Sequence, residues 1–273
     1  MALKYSALLS GRRKRGMMRS DLIFSLVIHD LRARALGSTL GFVWAFIQPF
    51  VMTIILWFVV GLAFKAGDVR GIPFIAWLLA GMSAWSFFSD ALNQSTSVFC
   101  EYAFLVRKVN FRLSVLPLVK ILAALAIHVF FLLIVAVVLI ISGIGVSWNW
   151  LAVIYYVFAG AVLLAGLSYL TASLHVFLRD VGHIVNVGLQ FGFWVTPVFW
   201  DLAMLERLPL LAKILRLNPV VYLVEGYRNS LLFGAPLAAG WAETLYFWIF
   251  TLVALVLGAL TFRKFRPQFA DVL

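Results

Sequence analysis

The chain has 273 residues, of which 64% are apolar, 16% aromatic and 12% charged, with a formal net charge of +11. Several uncharged runs are long enough to cross a bilayer, which takes about 20 mostly apolar residues per helix, so the composition excludes a soluble globular domain and identifies an integral membrane protein. The single cysteine, Cys100, excludes an internal disulfide framework and carries no metal pattern.

Residues 1–38 read as a basic tail followed by an amphipathic helix at the membrane interface. The RRKR run at 12–15 is an orientation signal ahead of the first span, with affinity for anionic headgroups, rather than a nucleic-acid patch. No cleavable signal peptide is expected, because the first strong apolar run begins near residue 39 and exceeds a signal core in length. In DLIFSLVIHDLRAR (21–34), Asp21, Ser25, His29 and Arg32 recur at helical spacing, opposite Ile23, Phe24, Val27 and Leu31. The expectation is an interface helix with its apolar side in lipid tails and its polar stripe on headgroups or a partner, serving as an anchor or as a lever at a lateral opening.

A single six-helix membrane domain is expected over 39–263, with spans near 39–64, 71–93, 119–142, 149–175, 181–200 and 243–262 and a tail at 264–273. The runs are continuously apolar rather than alternating, which indicates helices and not a barrel. Between spans five and six, the stretch 202–235 holds two short helical patterns broken by Pro209, Asn218-Pro219 and Gly226, too short to cross and readable as re-entrant or interfacial helices. With six spans, sixteen Lys and Arg fall on the side of the termini and six on the other, where five acidic residues offset most of them. Both termini are therefore expected in the cytoplasm.

The segment EYAFLVRKVNFRLSVLP (101–117) places Arg107, Lys108 and Arg112 between two apolar stretches on that same face. It is either an orientation signal or a docking element. Searching for chemistry yields no GxxxxGK[ST], HExxH, Asp-x-Asp or GxSxG, so an enzyme reading starts weak. His29, His128, His175 and His183 are scattered over different segments and read as packed or interfacial histidines; Asp90 and His128 are ionisable groups near or within spans, too few for a proton relay. Spans one and five are the most aromatic, with Phe42, Trp44, Phe46, Trp57 and Phe58 in one and Phe191, Phe193, Trp194, Phe199 and Trp200 in the other. Two readings remain open for them: interfacial belts against lipid, or a ladder of flat surfaces along a pore. Gln48, Pro49, Asn186, Gln190 and Pro197 interrupt the same two spans, so these helices are the expected seam of a conduit.

The blocks RARALGSTLGFVWAFIQP (32–49), LVRKVNFRLSVLP (105–117), FLRDVGHIVNVGLQFGFWVTPVFW (177–200) and LNPVVYLVEGYRNSLLFG (217–234), in this order over nearly the whole chain, resemble the permease subunits of type-2 ABC exporters, closest to those of O-antigen, capsular polysaccharide and teichoic acid. The resemblance implies a bacterial inner-membrane, multi-pass homodimer that exports a lipid-linked polysaccharide, O-antigen most of all, with two copies of a separate ATPase subunit. It implies no catalysis and no bound cofactor for this chain, ATP and Mg being handled by the partner. It assigns ATPase coupling to Arg107, Lys108, Asn110, Phe111, Arg112, Arg179 and Asp180, the last two able to pair with each other or with the ATPase. It also implies a substrate on undecaprenyl-diphosphate or a similar lipid, to whose diphosphate Arg32, Arg34 and Arg179 are available by position alone; in the pore reading of the aromatic spans, Phe42, Trp44, Phe46, Gln48, Gln190, Phe193 and Trp194 line the channel. The competing readings are a drug or lipid permease of the same topology and a membrane-embedded glycan-processing enzyme.

Overall fold

The computed structural model describes residues 19–35, 44–106, 112–235 and 240–273. The described residues are helical almost throughout, with one isolated backbone bridge between Val69 and Ile72 in a loop. Among the described residues, four helices are long and apolar enough to cross a membrane: α3 (Phe74–Thr96), α6 (Val115–Ile141), α7 (Ala152–His175, entered through the 3-10 turn Trp148–Leu151) and α11 (Trp241–Phe265). Around them stand α1 (Arg19–Ala35), α2 (Trp44–Leu56, continued by a π turn at Trp57–Ala63), the short α4 (Val98–Glu101) and α5 (Ala103–Val106), and α8 (Asp180–Val195). The remaining elements are α9 (Pro209–Arg216), α10 (Pro219–Arg228, continued by a π turn at Asn229–Phe233) and the terminal α12 (Phe269–Val272).

The expected fifth span to residue 200 is shorter in the structure. Pro197 disfavours the helical region for the residue before it, and Thr196 is extended at φ −75°, ψ 136°. The 16-residue α8 is therefore about 24 Å long at roughly 1.5 Å per residue, and 196–201 continues without helix.

α3 is the central post, buried along most of its length against α6, α7, α8 and α10. α7 and α11 make the closest helix pair because glycine removes the side chains between them. A Cβ on Gly258 would lie 2.3 Å from the Gly166 carbonyl oxygen, and one on Gly166 would lie 2.6 Å from the Leu255 nitrogen. Small residues at such a crossing let backbones touch, which replaces the hydrophobic drive that lipid does not supply.

A second, smaller core sits at one end of the bundle and joins α1 (Leu26, Val27), α4 (Val98, Phe99), the start of α6 (Leu116, Val119), the end of α7 (Ala172) and α12 (Phe269). The first and last described helices thus pack at the same end. Protein covers part of the apolar side expected in lipid at 21–34: Val27 is buried and Ile23 and Leu31 are half-buried against this core, while Phe24 stays 67% exposed. The cause is that the segment before α6 and the end of α7 present an apolar cradle to the same stripe.

The two short helices at 202–235 also differ from each other. α10 buries Val220, Val221, Leu223, Val224 and Tyr227 inside the bundle, whereas α9 has no buried residue and shows Leu210 and Ile214 to the outside. Asn218 caps α10 by accepting from the Val220 N–H at 3.0 Å, and Pro219 occupies the first turn, where no N–H is needed.

Candidate functional site

One face of α3 carries Met82, Trp85, Ser86, Ser89, Asp90, Asn93 and Gln94, a three-and-four spacing that aligns them along the helix. α8 presents Asn186, Leu189, Gln190, Phe193 and Trp194 by the same spacing. Between the two faces runs an open groove of about 800 Å³, walled by Ile127, His128 and Phe131 of α6, bordered by Met52 of α2 and reached at one end by Arg34 of α1. The amides of Asn93, Asn186 and Gln190 are exposed to it and hydrogen-bond no described residue. Trp85, Phe193 and Trp194 of the lining belong to an aromatic cluster with Phe199, with centroids 5.8 Å apart for Trp85 and Phe193, 5.9 Å for Phe193 and Phe199 and 5.3 Å for Trp194 and Phe199. His128 is buried, stacked on Phe87 at 4.8 Å and within 2.9 Å of the Tyr227 hydroxyl, so it behaves as a packed, hydrogen-bonded core histidine.

The mouth of the groove belongs to a chain of charges. Arg34 donates to Asp90 at 2.9 Å and to Asp30 at 3.2 Å. Asp30, buried in α1, lies 2.7 Å from the Lys120 amine, which also donates to Glu101 at 2.6 Å. The Tyr102 hydroxyl donates to Asp30 at 3.3 Å. Burial alone would lower the affinity of Arg34 for its proton, but the adjacent Asp90 and Asp30 outweigh it and hold the guanidinium above its ordinary range.

At the other end of the bundle Arg228 is fully buried, donating to the Val198 carbonyl at 2.6 Å and to Glu225 at 2.8 Å, with its guanidinium 4.0 Å from the Trp77 ring centre. Arg70 reaches the same ring from 5.5 Å and grips both oxygens of Asp201, at 2.6 and 2.5 Å. Those bonds, against partial desolvation, hold Arg70 above its usual value. Only Gly fits at position 81, where a Cβ would meet the Val198 oxygen at 2.3 Å and Arg228 at 2.9 Å.

Gln190, Phe193 and Trp194, expected to line a conduit, are brought together on the groove. Of the other expected lining residues, Phe42 lies outside the described residues, and Trp44, Phe46 and Gln48 lie on α2 with only their backbone described. Arg107, Lys108, Asn110 and Phe111 fall outside the described residues, while Arg112 is exposed. Arg179 and Asp180 are exposed at the start of α8 and do not pair with each other, which corrects one of the two partners expected for them. Arg32 is exposed, but Arg34 is held between two carboxylates rather than standing open at the edge. Asp90, to which the sequence alone gives no role, is Arg34's partner. Sequence reasoning missed the Asp30–Lys120–Glu101 cluster; its signal was Lys120 inside an otherwise uncharged helix, an expensive position that calls for a carboxylate nearby.

A family model described as ABC-2 type transporter matches residues 21–232. Three curated relatives, each called O-antigen export system permease protein RfbA, are similar over most of their length. One from Klebsiella pneumoniae is 25% identical over 254 residues (93% of this chain, 95% of the relative), and a second from that organism is 26% identical over 257 residues (93% and 95%). The third, from Myxococcus xanthus, is 28% identical over 207 residues (76% and 78%).

Proposed function

Because the chain belongs to the ABC-2 type transporter family, multi-pass inner-membrane permeases that work with an ATPase partner, we propose that it exports a lipid-linked polysaccharide of the O-antigen kind, two copies enclosing the conduit. The observation that carries this reading is the set of amides without a hydrogen-bond partner among the described residues, Asn93, Asn186 and Gln190, on the groove between α3 and α8. An amide without a partner in hydrocarbon costs roughly 2–7 kcal/mol, so this face is made for water and hydroxyl groups or for a second copy, not for lipid tails. The same arithmetic explains the need for a machine, since each sugar hydroxyl carried bare through a bilayer meets a comparable penalty.

In this reading α2 and α8 flank the seam, the polar lane of α3 and α8 hydrates the glycan, and the Phe193 cluster keeps the path shut at rest. α2 and α8 count as spans one and five, the termini face the cytoplasm, and α9 and α10 cover the outer end. The ATPase, with its own ATP and Mg, docks on 101–117 and near Arg179 and Asp180. The names of the relatives support the O-antigen substrate; the apolar wall of Ile127, Phe131 and Leu189 suits the lipid that carries it.

The test is deletion of the chain in its host followed by complementation with the wild type or with the Asn186→Leu/Gln190→Leu double variant. Deletion should remove surface glycan and leave the lipid-linked polymer in the cytoplasm, and the double variant should restore little export while still reaching the membrane. Unchanged surface glycan after deletion would dispose of the polysaccharide reading.

A further inference from the structure

We propose that Glu101, Lys120, Asp30, Arg34 and Asp90 form a transmission line that positions the groove mouth in response to movement of α4 and the start of α6, the helices at the two ends of the segment 101–117, so that Lys120 and Glu101 are coupling residues and not only anchors of the fold. The inference rests on the ATPase-docking reading of that segment.

The segment has two stems. Glu101 ends α4 on one side and Lys120 sits in the first turns of α6 on the other, and their 2.6 Å ion pair ties the stems together at the base. Force applied to one stem therefore reaches the other. Lys120 passes it to α1 through Asp30, at 2.7 Å, and α1 passes it to α3 through Arg34, which bridges Asp30 and Asp90. Asp90 lines the groove, as does Arg34. The side chains in the middle are nearly closed off, 3% exposed for Asp30 and 4% for Lys120, whereas the ends, Glu101 and Asp90, are 41% and 39% exposed. A charge chain shielded at its centre is little weakened by salt there, while its open ends are Glu101 on α4 and Asp90 on the groove.

The line also has room to switch. Three carboxylates share two cations, and the Nη2 nitrogen of Arg34 is buried without a partner among the described residues. Asp30 takes bonds from Lys120, Arg34 and Tyr102 together. A small shift of α1 lets it keep one cation and release the other, with the spare Arg34 donor ready to accept the new arrangement. Such a re-pairing has two discrete states, which is what coupling between distant sites requires.

The experiment uses the full chain co-purified with its ATPase in lipid vesicles, with Ser89→Cys as a reporter at the groove in a Cys100→Ser background. Maleimide labelling of the reporter is timed without nucleotide and with ATP trapped. The rates should differ at least about fivefold with the line intact, and Lys120→Met should erase the difference while ATP hydrolysis continues. Glu101→Gln, which disturbs only an exposed end, should do the same and decides the question if Lys120→Met does not assemble. A labelling difference that survives in Glu101→Gln, or hydrolysis that falls in step with it, overturns the proposal, as does a parent protein with no difference. The readout contains no glycan, so it stands or falls separately from the identity of the cargo.

Discussion

Replacing Arg228 by methionine tests whether the buried guanidinium holds the Trp77 end of the bundle together. The change removes the donors serving the Val198 carbonyl and Glu225, each worth about 1–3 kcal/mol when its acceptor is left short in a buried site. It also removes a desolvated cation over Trp77, worth about 2 kcal/mol. Against this, the charge no longer has to be buried, and the Arg228 Nε already lacks a partner among the described residues, so the net loss should be at the lower end of the roughly 3–5 kcal/mol seen when a buried pair is broken. Arg228→Lys keeps the charge but not the fork that reaches both acceptors, and should lose about half as much. Arg70→Met should cost less than Arg228→Met, because the Arg70 side chain is 43% exposed, but more than a surface pair, because it leaves Asp201, 5% exposed, with the Ala203 N–H in place of a cation. Reversible denaturation of the purified chain in detergent orders the three variants. The reasoning is refuted if Arg228→Met unfolds like the parent, or if Arg70→Met costs as much as Arg228→Met.

Gly258→Leu should separate α7 from α11 and destabilise the chain by about 1–3 kcal/mol or more, read in the same denaturation series, whereas Gly145→Ala, with open space around it, should be silent. Phe193→Ala should loosen the aromatic closure and raise passive leak of a small sugar from vesicles holding the chain with its ATPase; an unchanged leak would move the barrier elsewhere. Arg179→Ala, at an exposed position without an ion pair among the described residues, should leave stability within about 0.5 kcal/mol and lower ATPase co-purification; a stability loss with normal co-purification would make it structural.

Membrane class, helical type and the four long helices α3, α6, α7 and α11 were legible in the sequence because hydrocarbon imposes length, continuous apolarity and internal hydrogen bonding on any span, demands that each segment meets by itself. The same holds for the break at Pro219, where proline acts on its own neighbours, whereas the fifth span expected to run through Pro197 to residue 200 ends at Val195. That Gln190, Phe193 and Trp194 share one groove was foreseeable from a polar residue set among aromatics at helical spacing. What the tertiary structure alone decided is pairing. Composition cannot say whether an apolar stripe such as Val27 and Leu31 meets lipid or protein, because both are apolar; only the cradle from α4, α6 and α7 settles it. Nor can it say that Asp30 answers Lys120 across 90 residues of chain, or that Asp90 answers Arg34, since ion pairs act through space and not along sequence.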